Sequence, residues 1–424
     1  MRIRFTNARI LTMENTDIFN GELWVKDNRI EYVGKSTNEE SKFDRTIDCN
    51  GNLLMPSFKN AHTHRAMTFS RSLADNLPLD IWLNTKIFPM EAKLTPDHVY
   101  WFAKLAIMEY LQCGTTAAFD MYFHIDSAAK ASDESGFRFA FVSGMNNFGG
   151  FETLEENYLK FNDYSDLVSY NLGFHAEYTT SLELMKGLSD LCHKYEESCF
   201  AHNSETKLEV AGCIERYGKT PTELMEDLGL FDFGGGGFHC THMTDNDYEI
   251  FKKRNLLAVT NPCSNLKLSS GIADIKRFVD EGISVSIGTD GAGSNNSLNI
   301  FRDLYLATVL SNVRGEGEAN VDPLVLLKGL TTVGPRYMKL KDADILKEGK
   351  LADIIMIDLK NPSMQPINNI ATNLVYSGSP DVVKMTMING KIVYENGNYL
   401  TIDSEEVISK CNSLINELKL WGNF

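Results

Sequence analysis

The strongest constraint on the fold is an alternation of apolar runs and helical patterns through the middle of the chain, about residues 56–345. We count eight short apolar runs that end in polar or glycine residues: Asn52–Phe58, Thr115–Phe119, Arg138–Val142, Ser169–Phe174, Ser198–Ala201, Gly236–Phe238, Leu256–Val259 and Ile283–Ile287. Amphipathic stretches such as Pro96–Leu111, Leu182–Tyr195 and Leu298–Leu310 lie between several of them. Strand–helix alternation predicts an α/β fold with parallel strands, and eight strands favour a (β/α)8 TIM barrel.

A doubly wound sheet is the alternative α/β architecture, and it would carry a glycine-rich phosphate loop after an early strand. The one glycine cluster, Gly234–Gly237, precedes a predicted strand and matches neither a G-x-G-x-x-G nor a Walker pattern. We therefore predict a loop at these glycines and no nucleotide cofactor.

The two ends of the chain differ from the middle in their residue pattern. Residues 1–55 carry an alternating segment and short strand candidates with a turn at Asp27-Asn28. The tail from about 346 has β-branched, apolar segments with turns at Asn389-Gly390 and Asn396-Gly397. This predicts one composite β-sandwich domain, formed by residues 1–55 and 346–424, beside a catalytic barrel of residues 56–345. Helical spacing over Ser404–Leu418, with Ser404 as the N-cap, predicts a C-terminal helix in the sandwich domain.

Charge and cysteine content exclude several classes of protein. The net charge of −16 argues against nucleic acid and anionic membranes as partners. The first residues alternate instead of forming an apolar run, and no window approaches 18 consecutive apolar residues, so we expect neither a signal peptide nor a membrane span. The eight irregularly spaced cysteines indicate reduced thiols in a cytoplasmic protein. Whether the protein forms a homo-oligomer stays open.

Histidine and aspartate residues recur where the predicted barrel strands end, which is where TIM barrels carry their chemistry. Five of the eight strand ends carry such residues: His62 and His64, His175, His202, His239 with His242, and Asp290. His62 and His64 are two apart on an extended segment, so both side chains point the same way. With His202 and Asp290 they can supply three imidazoles and one carboxylate, a set that suits zinc or another divalent transition metal.

The order of these motifs resembles the amidohydrolase superfamily, in the branch that holds methylthioadenosine/S-adenosylhomocysteine deaminases and triazine chlorohydrolases. The resemblance covers essentially the whole chain and rests on these segments: PSFKNAHTHR (56–65), FPMEAKL (88–94), GFHAEYTTS (173–181), AHNSET (201–206), GFHCTH (237–242), NPCSNLKLSSG (261–271), SIGTDGAGSNN (286–296) and LKEGKLADIIMIDL (346–359). It implies a barrel with a composite β-sandwich and a hydrolytic deaminase acting on a small molecule.

The resemblance also implies roles for individual residues. His62, His64, His202 and Asp290 are the expected ligands of a single divalent metal, with zinc favoured and iron or manganese as alternatives. Glu205 is the expected proton shuttle, His239 and Asp290 act with it in catalysis, and His175 binds substrate. In a long loop after the first strand, Trp82 is expected to pack against a nucleoside and Glu91 to contact its ribose hydroxyls. Their alternative roles are a core tryptophan and a surface carboxylate.

Two departures from the family pattern bear on the substrate. Ser143 and Thr153 stand where homocysteine-accepting relatives are expected to have carboxylate-binding arginines, and Arg138 is expected to face away. Glu177 replaces a proline and would add a carboxylate near the pocket. We therefore favour methylthioadenosine or adenosine over S-adenosylhomocysteine. The roles of Glu177 and His242 stay open.

Two other functions are compatible with the same motifs. A hydrolase that removes another leaving group from a heterocycle, as in triazine chlorohydrolases or guanine and pterin deaminases, would use the same site. A catalytically silent metal-binding protein is disfavoured by the complete ligand set together with Glu205.

Overall fold

A computed structural model describes residues 1–38, 42–314 and 321–420 of the chain. Eight parallel strands run in chain order around a barrel: Phe58–Thr63, Thr115–Asp120, Arg138–Val142, Val168–Ala176, Cys199–Asn203, Gly235–His239, Leu257–Thr260 and Ser284–Ile287. Each strand hydrogen-bonds to the next in sequence. The predicted parallel α/β barrel is confirmed.

The seam between the eighth and first barrel strands is closed by residues that bear on the site. The backbone N–H of Asp290 donates to His62 O at 3.0 Å, and the N–H of Thr289 donates to Asn60 Oδ1 at 3.0 Å. The last and first strand ends are thereby held side by side.

The helices follow the strands, as the amphipathic segments predict. They are Leu79–Trp82, Phe88–Glu91, Pro96–Gln112, Ile125–Ser135, Leu154–Phe161, Leu182–Tyr195, Lys207–Tyr217, Pro221–Asp227, Asp245–Arg254, Pro262–Lys267, Ile275–Asp280, Ile300–Arg314, Pro323–Lys328, Gly334–Tyr337, Ile370–Ser377 and Ser404–Leu420. None of the helices in the described ranges is long and apolar enough to cross a membrane.

A second, nine-stranded sheet draws on both ends of the chain. Its strands are Arg2–Leu11, Ile18–Lys26, Arg29–Gly34, Arg45–Asp48, Leu53–Pro56, Ile354–Ile357, Val383–Ile388, Lys391–Glu395 and Asn398–Tyr399. The antiparallel pairing of Leu53–Pro56 with Ile354–Ile357 joins the two halves. Barrel and sheet also meet through the buried ion pair of Arg138 and Asp353, with a nitrogen–oxygen distance of 3.3 Å. The predicted β domain built from both termini is confirmed.

The predicted position of the first barrel strand is wrong. Leu53–Pro56, within the predicted run Asn52–Phe58, belongs to the nine-stranded sheet, and the barrel strand is Phe58–Thr63. Lys59, Asn60 and His62 are fully buried in that strand. Because several of its buried side chains are polar, the strand lacks the apolar pattern by which strands are recognised.

The predicted loop at Gly234–Gly237 is also wrong, since Gly235–His239 forms the sixth barrel strand. A Cβ atom on Gly236 would lie 2.3 Å from the carbonyl oxygen of Leu257 on the next strand. The glycines therefore permit close strand packing instead of marking a turn.

Two smaller predictions concern the tail and the cysteines. The C-terminal helix begins at Ser404, but its cap is Asp403, whose Oδ1 accepts the N–H of Glu406 at 3.0 Å. The predicted Ser404 cap is therefore wrong by one residue. All eight cysteines are free and buried, as predicted.

Candidate active site

A cavity of about 970 Å³ opens at the C-terminal ends of the barrel strands. Most of the predicted site residues line it: His64, Trp82, Glu91, His175, His202, Glu205, His239 and Asp290. His62 lies beneath this surface and is fully buried. The structure thus brings together every residue that the sequence predicts for the site.

The imidazole of His62 is the most enclosed group of the cluster. Its ring stacks on Phe238 with centroids 3.9 Å apart, and burial lowers its pKa to about 3, so the ring is neutral. Neither ring nitrogen has a hydrogen-bond partner among the described residues. An unsatisfied buried polar group is costly to stability. The His62 nitrogens are therefore suited to bind an ion or small molecule that is not part of the protein chain.

Backbone carbonyls orient His64 and His202 toward each other. His64 Nδ1 lies 2.5 Å from Met121 O, and His202 Nδ1 lies 2.6 Å from His175 O. Each Nδ1–H donates to its carbonyl, which turns each Nε2 toward the cluster. Although burial opposes it, the neighbouring Asp290 raises the pKa of His64 to about 9, so the His64 ring keeps a proton unless a cation replaces it. The two Nε2 atoms are only 3.3 Å apart. Nitrogen atoms this close need a proton on one of them or a cation between them, because two lone pairs would repel.

Asp290 completes the cluster with one oxygen. Its Oδ2 accepts hydrogen bonds from Ser264 Oγ and Ser294 Oγ, both at 2.6 Å. Its Oδ1 lies 3.1 Å from His64 Nε2 and 3.5 Å from His62 Nε2. Although burial opposes ionisation, the neighbouring imidazoles hold the pKa of Asp290 well below its usual value.

Together these ligand atoms fit a divalent metal. The nitrogen and oxygen atoms of His62, His64 and Asp290 lie within 4.8 Å of one another, as do those of His62, His202 and His239. Neutral imidazoles with one carboxylate are the donors that first-row divalent ions prefer.

Glu205 and His239 stand beside this cluster. Glu205 is buried, with 3% of its surface exposed, and its Oε1 accepts from Ser270 Oγ at 2.9 Å. His239 Nδ1 lies 2.6 Å from Asn265 Oδ1 and 3.7 Å from Glu205 Oε1. Burial raises the pKa of Glu205, which makes the carboxyl group better able to hold a proton.

A capping box holds the turn that carries Glu205. Thr206 and Glu209 cap the helix Lys207–Tyr217, and Glu209 also accepts the N–H groups of Ser204 and Glu205, at 3.0 and 2.7 Å. The Glu205 backbone is therefore fixed from behind.

His175 has a defined tautomer. Thr179 Oγ1 donates to Ala176 O at 3.1 Å and so accepts from His175 Nδ1, 2.8 Å away. Burial lowers the pKa of His175 to about 3, so the ring is neutral and its Nε2 is left as a hydrogen-bond acceptor.

Trp82 and Glu91 form part of the cavity wall. The indole N–H of Trp82 is buried without a hydrogen-bond partner in the described part of the chain. Burial raises the pKa of Glu91 to about 7. Both side chains thus bring polar groups to this part of the cavity wall.

The charge of the cavity is one-sided. None of its described lining residues is an arginine or a lysine, while Glu91, Asp126, Glu205 and Asp290 all line it. Ser143 and Thr153 line it as well. Arg138 is buried away from the cavity against Asp353, as predicted.

The expected contribution of Glu177 is wrong. Its carboxylate binds Arg216 through two hydrogen bonds, at 3.1 and 2.6 Å, and it is absent from the described cavity lining. Because a guanidinium neutralises it, Glu177 adds no unbalanced charge to the pocket.

Sequence reasoning missed the side chains that orient the site. They are Ser264, Asn265, Ser270 and Ser294. All four lie in segments that carry the family resemblance, so their positions were visible although their roles were not.

The family model for the amidohydrolase family matches residues 53–393. This chain belongs to the amidohydrolase family. A 5-methylthioadenosine/S-adenosylhomocysteine deaminase of Caldanaerobacter subterraneus is 34% identical over 420 residues, which cover 96% of each chain. A 5'-deoxyadenosine deaminase of Methanobrevibacter smithii is 36% identical over 427 residues, covering 98% of each.

A solved structure extends the likeness to the whole amidohydrolase fold. An adenosine deaminase from Xanthomonas campestris, crystallised with bound zinc, matches with a TM-score of 0.93 at 27% identity, over 99% of this chain and 98% of that one. The predicted amidohydrolase is confirmed, and a divalent metal fits its His/Asp cluster.

Proposed function

We propose that this protein is a metal-dependent hydrolytic deaminase of adenosine-type nucleosides. The observation that carries the proposal is the convergence of ligand atoms of His62, His64, His202 and Asp290 beside the buried carboxyl group of Glu205. Among the described residues, neither ring nitrogen of His62 nor Oδ1 of Asp290 has a hydrogen-bond partner. The names of the two relatives above, a methylthioadenosine/S-adenosylhomocysteine deaminase and a 5'-deoxyadenosine deaminase, support the substrate class.

We assign His62, His64, His202 and Asp290 as the metal ligands. Three imidazoles and one carboxylate favour zinc, with iron or manganese as alternatives. A bound divalent ion supplies Lewis acidity that lowers the pKa of water from 15.7 to around 7.

Deamination replaces the exocyclic amino group of the ring by oxygen: one carbon–oxygen bond forms, one carbon–nitrogen bond breaks, and ammonia leaves. Glu205 takes a proton from the attacking water and delivers it to the ring nitrogen, and then moves the second proton to the departing amine. His239, oriented by Asn265, stabilises the oxygen of the tetrahedral ring intermediate. Asp290 accepts a hydrogen bond from the attacking water.

The substrate is held by groups on the cavity wall. Trp82 packs against the nucleoside, and Glu91 accepts hydrogen bonds from the ribose hydroxyls. His175, with Nε2 as an acceptor, binds a donor on the base.

An ammonia-release screen tests the function. Metal-loaded protein is incubated with methylthioadenosine, 5'-deoxyadenosine, adenosine, guanine, cytosine, pterins and aminotriazines, and we expect release from the adenosines. Lack of ammonia from the whole panel would overturn the proposal. Chloride release from chlorotriazines without nucleoside turnover would assign the site to dechlorination.

The cavity charge predicts a preference for uncharged 5' substituents. Replacing the exposed Thr153 by arginine places a guanidinium in the wall. We expect the ratio of kcat/KM for S-adenosylhomocysteine to that for methylthioadenosine to rise about tenfold, because the guanidinium pairs with the homocysteine carboxylate. Steady-state kinetics with both substrates measure this ratio. Thr153→Gln, which adds length without charge, should leave it unchanged, and an equal rise in that variant would contradict the electrostatic explanation.

Glu91 predicts a pH-dependent KM. Because its pKa is raised from 4.5 to about 7, the carboxylate is ionised above that pH and becomes protonated as the pH falls through it. Protonation removes acceptor capacity toward the ribose diol, so we expect KM for adenosines to rise below about pH 7. Glu91→Gln should have a KM about tenfold higher and lack this rise. The exposed Asp80→Asn, in the same segment but off the cavity lining, is the control. A KM rise that persists in Glu91→Gln would assign the titration to another group.

A further inference from the structure

The residue that contacts the carboxyl group of Glu205 most directly is Ser270. Its Oγ donates to Glu205 Oε1 at 2.9 Å, and each residue is only 3% exposed. A hydroxyl that donates to Oε1 fixes the rotation of the carboxyl group. It also leaves Oε2 as the carboxyl oxygen that makes no hydrogen bond to the segment carrying Ser270.

Ser270 is held in place by its own backbone. Its N–H donates to Asn265 O at 2.8 Å, and its carbonyl oxygen lies 2.6 Å from His242 Nε2. His242 Nε2–H is therefore the donor to this carbonyl. Both backbone polar groups of Ser270 are satisfied, which fixes the backbone position from which its side chain extends toward Glu205.

His242 connects this segment to the turn before Glu205. Its backbone N–H donates to Ser204 O at 2.9 Å, while its ring binds Ser270. One residue thus bridges the two segments that meet at the Glu205 carboxyl group.

The neighbouring glycine permits this approach. Gly271 has φ of +132°, and a Cβ there would lie 2.8 Å from Thr241 Cγ2 and 3.1 Å from His242 Nε2. Any larger residue would separate the His242 ring from the loop that carries Ser270.

We propose that Ser270, anchored by His242, is a positioning residue that reserves Oε2 of Glu205 for proton transfer. The proposal rests on the proposed deaminase function, in which Glu205 carries two protons in turn. With Oε1 bound to the Ser270 hydroxyl, Oε2 takes the proton from water and gives the same proton to the ring. The oxygen that the Ser270 hydroxyl leaves free then serves both transfers without rotation of the carboxyl group.

Replacing Ser270 by alanine tests the proposal. We expect kcat on methylthioadenosine to fall about 10- to 100-fold, the range for loss of a hydrogen bond to a charged group. KM should stay within about threefold and the metal content should not change, since neither the cavity wall nor the ligands are altered. Ser270→Thr retains the hydroxyl and should recover most of the activity. Ser269→Ala, which removes the hydroxyl of the exposed neighbour, should match the wild type.

His242 supplies a second arm that does not remove the hydroxyl itself. His242→Leu removes the donor to Ser270 O and should lower kcat, whereas His242→Gln retains an N–H near the position of Nε2 and should preserve it. In the double variant Ser270→Ala/His242→Leu we expect kcat to match that of Ser270→Ala alone, because both changes act on one contact.

Three results would overturn the positioning role. The first is a wild-type kcat in Ser270→Ala, and the second is a loss of activity that comes from a higher KM or a lower metal content. The third is a double variant in which the kcat losses of the two single variants multiply fully. A wild-type protein that releases no ammonia from any adenosine would instead refute the proposed function. An active wild type with an equally active Ser270→Ala refutes the positioning role alone.

Discussion

Replacement of Glu205 by glutamine is expected to lower kcat on adenosines by about a thousandfold or more while leaving the metal bound. Glutamine keeps the shape and the acceptor for the Ser270 hydroxyl, but its amide cannot take a proton from water or return one. The backbone contacts that hold residue 205 come from Glu209 and do not involve the exchanged side chain. The measurements are ammonia release under saturating substrate and the metal content of the purified variant.

A matched control is Glu215→Gln on the helix that follows. Glu215 is exposed, so the same chemical change there should leave kcat unaltered. If Glu205→Gln retained more than about a tenth of the activity, proton transfer would have to be assigned to another group.

Removal of the metal should abolish turnover and weaken the fold. In the metal-free protein the Nε2 atoms of His64 and His202, 3.3 Å apart, and the buried nitrogens of His62 lose their common partner. At free metal a thousandfold above Kd, binding adds about 4 kcal/mol to the free energy of unfolding. We therefore expect a chelated sample to lose its ammonia release and to melt at lower temperature.

Reconstitution distinguishes loss of metal from damage to the protein. Adding back one equivalent of zinc, manganese or ferrous iron should restore activity and Tm together, and the ion that restores most activity identifies the best catalytic metal. His202→Ala should bind metal more weakly. Full activity in a sample shown by metal analysis to be metal-free would contradict the assigned ligands.

Much of the fold and the site followed from the sequence because their signals are local or periodic. The helix Leu182–Tyr195 begins and ends where its apolar spacing predicts. His62 and His64 share a side because successive residues of a strand alternate. Both features depend on neighbouring residues only, and no partner distant in sequence is needed to predict them.

The features that the sequence does not predict depend on tertiary contacts or on polar side chains in buried positions. The strand Phe58–Thr63 is not predicted because several of its buried side chains, His62 of the site among them, are polar. The charge of Glu177 was misjudged because its partner, Arg216, lies on a different element. Serines such as Ser264 and Ser270 are common residue types, and only tertiary structure shows which carboxylate each one contacts.

The closed seam of the barrel has a consequence for biosynthesis. Asp290 N–H binds His62 O, so two proposed ligands belong to the first barrel strand and to the residues just after the last. A nascent chain must extend past the eighth strand before these groups can meet. A chain that stalls or is cleaved earlier holds an incomplete ligand set, so a tightly held metal ion reports that the whole ring of strands has formed.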